Sequence, residues 1–434
     1  MIGYIVSLVI FTATYALFSL GLNLQWGFTG LINFGHIAFM TLGAYTTVLL
    51  SLQDVPLFIS VIAGGAMAAL LGLLIGFSTL RLREDYLAIV TVGVAEVVRL
   101  IAVNEAWLTR GPMGLYGFPL PLEDYQPNLV GKLAAIAILT AIVAVALWRL
   151  WRWMGAQIQG SSRSQWQRNL PLVATYLISL MAILFAIGAI AKQLKANQIL
   201  PPWGLGIFLI ATLAATVWLY VWWARRMFPK LPEWHVSSAL IGSVGVTAFG
   251  LWVYGCGAVA LYNYSYKAGL MLLLLVVLTL TFWFLERMLA SPWGRILKAI
   301  REDEEVARAL GKNVFWYKLQ SFMLGGAIAG IAGAFYAWQL TFINPDGFTT
   351  LITFQAWTIV ILGGAGNNVG TLLGATIFWA YNTATRFILK DIIPLDDARL
   401  GAFRLMVIGL LLIILIIWRP QGILGKKEEL TLGG

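Results

Sequence analysis

The sequence predicts an all-α fold, a polytopic integral membrane protein with roughly 10–13 transmembrane or re-entrant helices. Three observations lead there. The 434 residues are 60% hydrophobic and only 11% charged, whereas a soluble domain keeps about a quarter of its residues charged. Thirteen apolar runs approach or exceed the ~20 residues that a helix needs to cross ~30 Å of hydrocarbon. Lys and Arg, finally, are spread unevenly over the connections between those runs.

In chain order the runs are 4–24, 31–50, 56–80, 86–104, 131–148, 171–191, 203–222, 236–261, 268–285, 317–340, 350–366, 371–386 and 400–418. They are far too long, and too uniform in hydropathy, for the period-two strands of an outer-membrane barrel. No Lys or Arg precedes Arg81, so the first run lacks the basic start of a signal peptide and reads as a retained span. With alternating spans and the 291–311 block placed inside, 19 of the 29 Lys and Arg residues fall in inside connections and 8 in outside ones. Arg99 and Arg404 lie within spans. The net charge of +10 therefore reflects the positive-inside bias rather than a nucleic-acid surface.

Several chemistries are excluded by residue type and spacing. No G-x-x-x-x-G-K-[ST] phosphate cradle exists: Gly131-Lys132, Gly311-Lys312 and Gly425-Lys426 are followed by Leu133, Asn313 and Lys427. Gly364-Ala365-Gly366 lies between two apolar runs, not between a strand and a soluble helix, so no dinucleotide site is expected. His36, His235 and Cys256 are the whole complement of His and Cys. They supply neither metal-ligand spacing nor an intrachain disulfide. The chain is read as a non-enzyme that holds no cofactor or metal.

Inside the membrane, glycines at Gly72/Gly76, Gly326/Gly330 and Gly366/Gly370/Gly374 place small residues on one helix face, where helices pack closely. Gly27, Gly30, Gly35 and Gly43 interrupt what would otherwise be one helix around GLINFGHIAFMTLGAY, whose Asn33 and His36 are three apart. Discontinuous membrane helices expose backbone ends that can hold a zwitterion, but the favoured reading is an Asn/His pair that bonds a neighbouring helix. Glu96 and Arg99 are also three apart, in a span where an ionisable residue must be paired or face water. Asn33, His36, Glu96 and Arg99 are thus candidates for a substrate path.

One block differs from the rest. SPWGRILKAIREDEEVARALG (291–311) concentrates charge in an apolar chain. Ser291-Pro292 suits a helix start and Gly311 a stop. Ile296, Leu297, Ile300, Val306, Ala307 and Leu310 form a narrow apolar side broken at 301–305. One short helix, or two separated at the acidic run, is expected at the membrane surface. Its mixture of acids and bases suits a protein partner better than an anionic lipid surface.

This block, followed by Tyr317-Lys318-Leu319, resembles the cytoplasmic coupling segment of branched-chain amino-acid ABC-transporter permeases of the LivM type. GLNLQWGFTGLINFGHIAFMTLGAY (21–45), LRLREDYLAIVTVGVAEVVRL (80–100), GPMGL (111–115), LGGAGNNVGTLLGA (362–375) and RPQGILG (419–425) are similar to further motifs of that family, in the same order. The resemblance covers roughly 1–120 and 265–425. It departs at Glu84, where a glycine is expected, and in 125–265, which is longer and adds about four spans with Trp at their ends. The implied organisation is an N-terminal membrane core (1–124), an inserted membrane region (125–265), a C-terminal core with the coupling segment at 291–312 (266–425) and a tail (426–434).

The resemblance further implies an ABC importer permease fold and a multi-pass subunit in the inner membrane of a bacterium. It implies import of branched-chain or other neutral amino acids, with ATP and Mg bound by a partner. Expected partners are a LivH-type sister permease, two cytoplasmic ABC ATPases, a periplasmic or extracytoplasmic amino-acid-binding protein and membrane lipid, with no nucleic acid. Gly294, Arg295, Ala299, Arg301, Glu302, Asp303, Glu304 and Gly311 are the residues expected to couple to the ATPase. A permease for urea or short amides shares this coupling segment and stays open as an alternative. So does a secondary transporter driven by an ion gradient, which would need intramembrane carboxylates beyond Glu96.

Overall fold

A computed structural model describes residues 2–80, 84–158, 250–392, 397–418 and 421–425. The apolar runs become helices because a backbone in hydrocarbon must satisfy its own N–H and C=O groups. Helix α1 (Ile2–Leu22) continues into a π-helical turn over Asn23–Gly27. It is followed by α2 (Ile37–Ser51), α3 (Leu57–Thr79), α4 (Glu84–Asn104), the single turn α5 (Ala106–Thr109) and α6 (Leu129–Ile158). After α7 (Gly250–Tyr262) come α8 (Tyr266–Ala290), the short helices α9 (Pro292–Glu302) and α10 (Glu304–Ala309), and α11 (Val314–Leu340). The chain closes with α12 (Thr350–Gly363), α13 (Asn368–Ile392) and α14 (Asp397–Trp418).

Among the described residues, six helices are long and apolar enough to cross a membrane, or up to seven if a bent pair counts as one span. The expected spans 171–191 and 203–222, most of 236–261, Arg81, Arg83 and the tail 426–434 lie outside the described residues. Three expected spans differ from the prediction. The run 31–50 is helical only in α2, whose 15 residues reach about 22 Å, short of the hydrocarbon core. The runs 350–366 and 371–386 form a bent pair, Pro345–Gly363 and Asn368–Thr383, at 117°. Hydropathy reports apolar length, not continuity, so it does not see either break.

The chain divides into two compact units. One comprises Met1–Ala135, Val259–Asn382 and Met406–Gly434, and the other Ile136–Ala258 and Thr383–Leu405. Within the second, Thr140 Oγ1 lies 2.9 Å from the Tyr254 hydroxyl. In the first, α11 is the central helix, wrapped by α1, α2 and α3. Glycine makes this packing possible: a Cβ on Gly43 of α2 would stand 2.3 Å from the Gly330 Cα of α11. The Gly72, Gly76 and Gly326 positions likewise face Met323, Leu319 and Phe39, the close helix approach their spacing suggests. The buried face of this contact includes Phe39, Phe322 and Phe335.

Helix direction gives this unit two ends. The charged end holds α9 and α10, the close of α1 and the start of α11. At the opposite end a two-residue antiparallel ribbon pairs Leu115 with Ile343 and Tyr116 with Phe342. It ties the connection after α5 to the one after α11.

Candidate functional site

Between α1 and α2 the chain turns back into the protein. Gly27 sits at the charged end, while His36 Nε2 lies 3.1 Å from the Phe18 carbonyl, nine residues, or about 13 Å, further up α1. Residues 31–36 thus run non-helically at membrane depth, which is tolerated only where protein supplies the missing hydrogen bonds. Here it does. The Thr91 hydroxyl accepts from Phe34 N at 3.2 Å, Thr353 from Ile37 N at 3.0 Å, and the Trp357 indole donates to the Asn33 carbonyl at 3.0 Å.

Asn33 and His36 belong to this internal framework. Asn33 Nδ2 donates to Gln25 Oε1 at 2.8 Å and stands 3.5 Å from His36 Nδ1, while Asn33 Oδ1 accepts from Gly35 N at 2.9 Å. Both side chains are fully buried. In this conformation they meet protein groups rather than open space. Gln25 extends the framework to α11, donating to the Phe322 carbonyl at 2.9 Å.

Glu96 and Arg99 are placed differently. Arg99 bonds Glu96 through Nη2 at 2.5 Å and through Nε to both carboxylate oxygens at 3.1 Å. Its Nη1 lies 3.4 Å from Asp346 Oδ1, in the turn Pro345–Gly347 before α12. The side chains remain partly open, at 25% for Arg99, 47% for Glu96 and 69% for Asp346. One guanidinium thus faces two carboxylates on a surface of α4 that keeps access to water or a partner. Asp346 was not legible as part of this group, because 247 residues separate it from Arg99.

The 291–311 block folds as two helices. Asp303 is extended (φ −155°, ψ 107°) between them, and its carboxylate caps α10 by accepting from Val306 N at 2.9 Å. Leu297 and Ile300 of α9 are buried, and Ile300 joins Ala307, Val314, Ile296 and Tyr317 in one small apolar cluster. The break turns α10 so that Ala307 faces inward while Val306 and Leu310, expected on the apolar side, are exposed. Gly294 is buried at the tight corner after α8, where a Cβ would meet the Leu289 carbonyl oxygen at 2.3 Å. Gly311 takes a positive φ of 75° and ends α10, a conformation that costs a side chain little only in glycine.

The residues of the block divide by direction. Arg295, Ala299, Glu302, Asp303 and Glu305 are exposed. Arg301 turns inward, its Nη1 donating to the Gly27 carbonyl. Glu304 pairs with Arg308 at 2.7 Å and with the nearly buried Lys318 at 2.5 Å, tying α10 to α11.

The family model described as "Branched-chain amino acid transport system / permease component" matches residues 4–156 and 154–416. The chain belongs to that family. Its relatives include the high-affinity branched-chain amino acid transport system permease protein LivM of Escherichia coli, 27% identical over 95% of this chain and 68% of that protein. LivM of Salmonella typhimurium is 26% identical over the same shares. LivH of S. typhimurium, a permease protein of the same kind of system, is 30% identical over 32% of this chain and 41% of its own length. No solved structure matches.

Two motifs of this permease that are distant in sequence meet beside the broken segment. In the hairpin between α12 and α13, the Leu362 and Gly363 carbonyls accept from Ile423 N at 3.1 Å and Leu424 N at 3.0 Å. Asn367 Nδ2 donates to the Leu424 carbonyl at 2.8 Å. The hairpin is joined to α1 by Asn23, whose Oδ1 accepts from Gly366 N at 2.9 Å and whose Nδ2 donates to Asn368 Oδ1 at 3.1 Å. Asn368 then donates to Glu286 of α8 at 2.9 Å. Sequence reasoning did not single out Asn23, Gln25 or Asn368. Their available signal was an uncharged amide inside an apolar run, which must find a partner when buried.

Proposed function

We propose that this permease is the membrane-spanning subunit of an ATP-driven importer that carries branched-chain or other neutral amino acids into the cytoplasm of a bacterium. The family match over nearly the whole chain carries the reading. ATP would be hydrolysed by two separate ATPase subunits, a LivH-type sister permease would complete the path, and a soluble binding protein would deliver substrate. The exposed side of 291–311, with Arg295, Ala299, Glu302, Asp303 and Glu305, is the surface offered to the ATPase. Glu96 and Arg99 line the substrate path. Asn33 and His36 shape it by holding segment 31–36 in place.

Uptake of labelled leucine, glycine and urea, compared in cells with the chain, without it and with Glu302→Lys, tests this. The expected result is loss of leucine or glycine uptake in both altered strains, with the variant still present in the membrane. Loss of urea uptake alone would assign the chain to the amide branch. Normal uptake by Glu302→Lys would remove the coupling role from this surface.

A further inference from the structure

Resting on the reading of 291–311 as the ATPase-facing segment, we infer that Arg301 is a positioning residue that transmits movement of α9 to the broken segment 27–36. It does not belong to the docking surface. Arg301 and Lys298 are three apart on α9 and share a face. That face is turned to the close of α1. Arg301 Nη1 donates to the Gly27 carbonyl, and the Lys298 ammonium stands 5.8 Å from the centroid of the Phe28 ring. A Cβ on Gly30 would lie 3.7 Å from Arg301 Cγ, so the arginine stem covers this glycine. Residues 27–30 are thus seated on α9.

The Gly27 carbonyl ends a helix, where the last oxygens lack intrahelical donors and the helix dipole favours a cation. A guanidinium supplied by another element satisfies both. Beyond Gly27 the path is stiff and buried. Leu31 N donates to the Gln25 carbonyl at 2.9 Å. The Gln25 side chain then bonds both Asn33 and the Phe322 carbonyl of α11, and Asn33 is fixed to α12 by Trp357. A displacement of α9 therefore reaches α11 and α12 through 27–36 in addition to its direct contacts with the start of α11, where Ile300 packs on Val314 and Trp293 Nε1 donates to Gln320 at 2.8 Å.

The test uses the full importer, with sister permease, ATPases and binding protein, reconstituted in liposomes. Co-purification of the ATPase, ATP hydrolysis and labelled leucine uptake are measured together. Arg301→Met keeps the stem and removes the donors. It is expected to retain the ATPase and its hydrolysis while uptake per ATP falls at least tenfold, with partial recovery in Arg301→Lys. Wild-type uptake per ATP in Arg301→Met would overturn the proposal, and so would loss of the ATPase from that variant, which would make Arg301 a docking contact. Phe28→Ala, which leaves the guanidinium intact and removes the Lys298 partner, should show a smaller uncoupling in the same direction. Full coupling there, if Arg301→Met cannot be purified, also overturns it. Glu302→Lys separates the two failures: retention of the ATPase and normal transport in that variant would refute the docking surface on which the proposal rests, whereas wild-type coupling in Arg301→Met alone would refute only the Arg301 link.

Discussion

Asn23 is fully buried and uses both ends of its amide, one on the Gly366 amide and one on Asn368. Asn23→Leu removes both bonds and strands their partners, at about 1–3 kcal/mol for each buried group left without a bond. A lower unfolding temperature of the purified protein is expected, and an unchanged one would show that water or a rearrangement replaces the amide. The Gly43–Gly330 crossing is stricter, because backbone rather than a flexible side chain stands where a Cβ would go. Gly43→Val should cost more than the ~1–3 kcal/mol typical of overpacking and prevent recovery of folded protein, read as loss of the monodisperse peak in detergent. In the sequence Gly43 reads as an interruption, whereas it lies inside the continuous helix α2. What fixes it is a partner 287 residues away.

The helices were largely legible as elements, since a length of apolar sequence in hydrocarbon has few alternatives to an α-helix. Their interruptions were legible only in part. Gly30 and Gly35 marked the break before α2, and the acidic run marked the one between α9 and α10, with Asp303 at its centre. The hydrogen bonds that make the first break tolerable come from Thr91, Thr353 and Trp357. No local pattern announces those residues. Asp303→Ala removes a helix cap worth about 1 kcal/mol from a six-residue helix that has little stability of its own. Faster amide exchange confined to 304–309 is the expected result, with the bundle unaffected. At the opposite end, Arg99 joins α4 to the turn before α12. Arg99→Ala should reduce uptake while leaving membrane abundance near normal, since exposed ion pairs contribute only about 0–1 kcal/mol to stability.

For the molecule as a whole, the bias of Lys and Arg predicts which end faces the cytoplasm. In a Cys256→Ser background, Lys312→Cys should react with an impermeant thiol reagent only in inverted vesicles. Asp124→Cys should react only in intact, outer-membrane-permeabilised cells, and the reverse pattern would invert the assignment. The membrane class and the family motifs were legible because each depends on composition or on contiguous residues. The meeting of 21–36, 362–370 and 421–425 was not, because it is written in single amides and backbone groups scattered over 400 residues.

The protein-bonded course of residues 31–36 has an energetic consequence for the cell. A membrane that holds a proton-motive force is discharged by any continuous file of water, and an unwound helix is an obvious place for one to form. With the Asn33 and His36 side chains and the Phe34, Gly35 and Ile37 amides bonded to protein, the break offers few free groups along which a file of water could form. Liposomes containing the permease should hold an imposed pH difference as long as empty ones do.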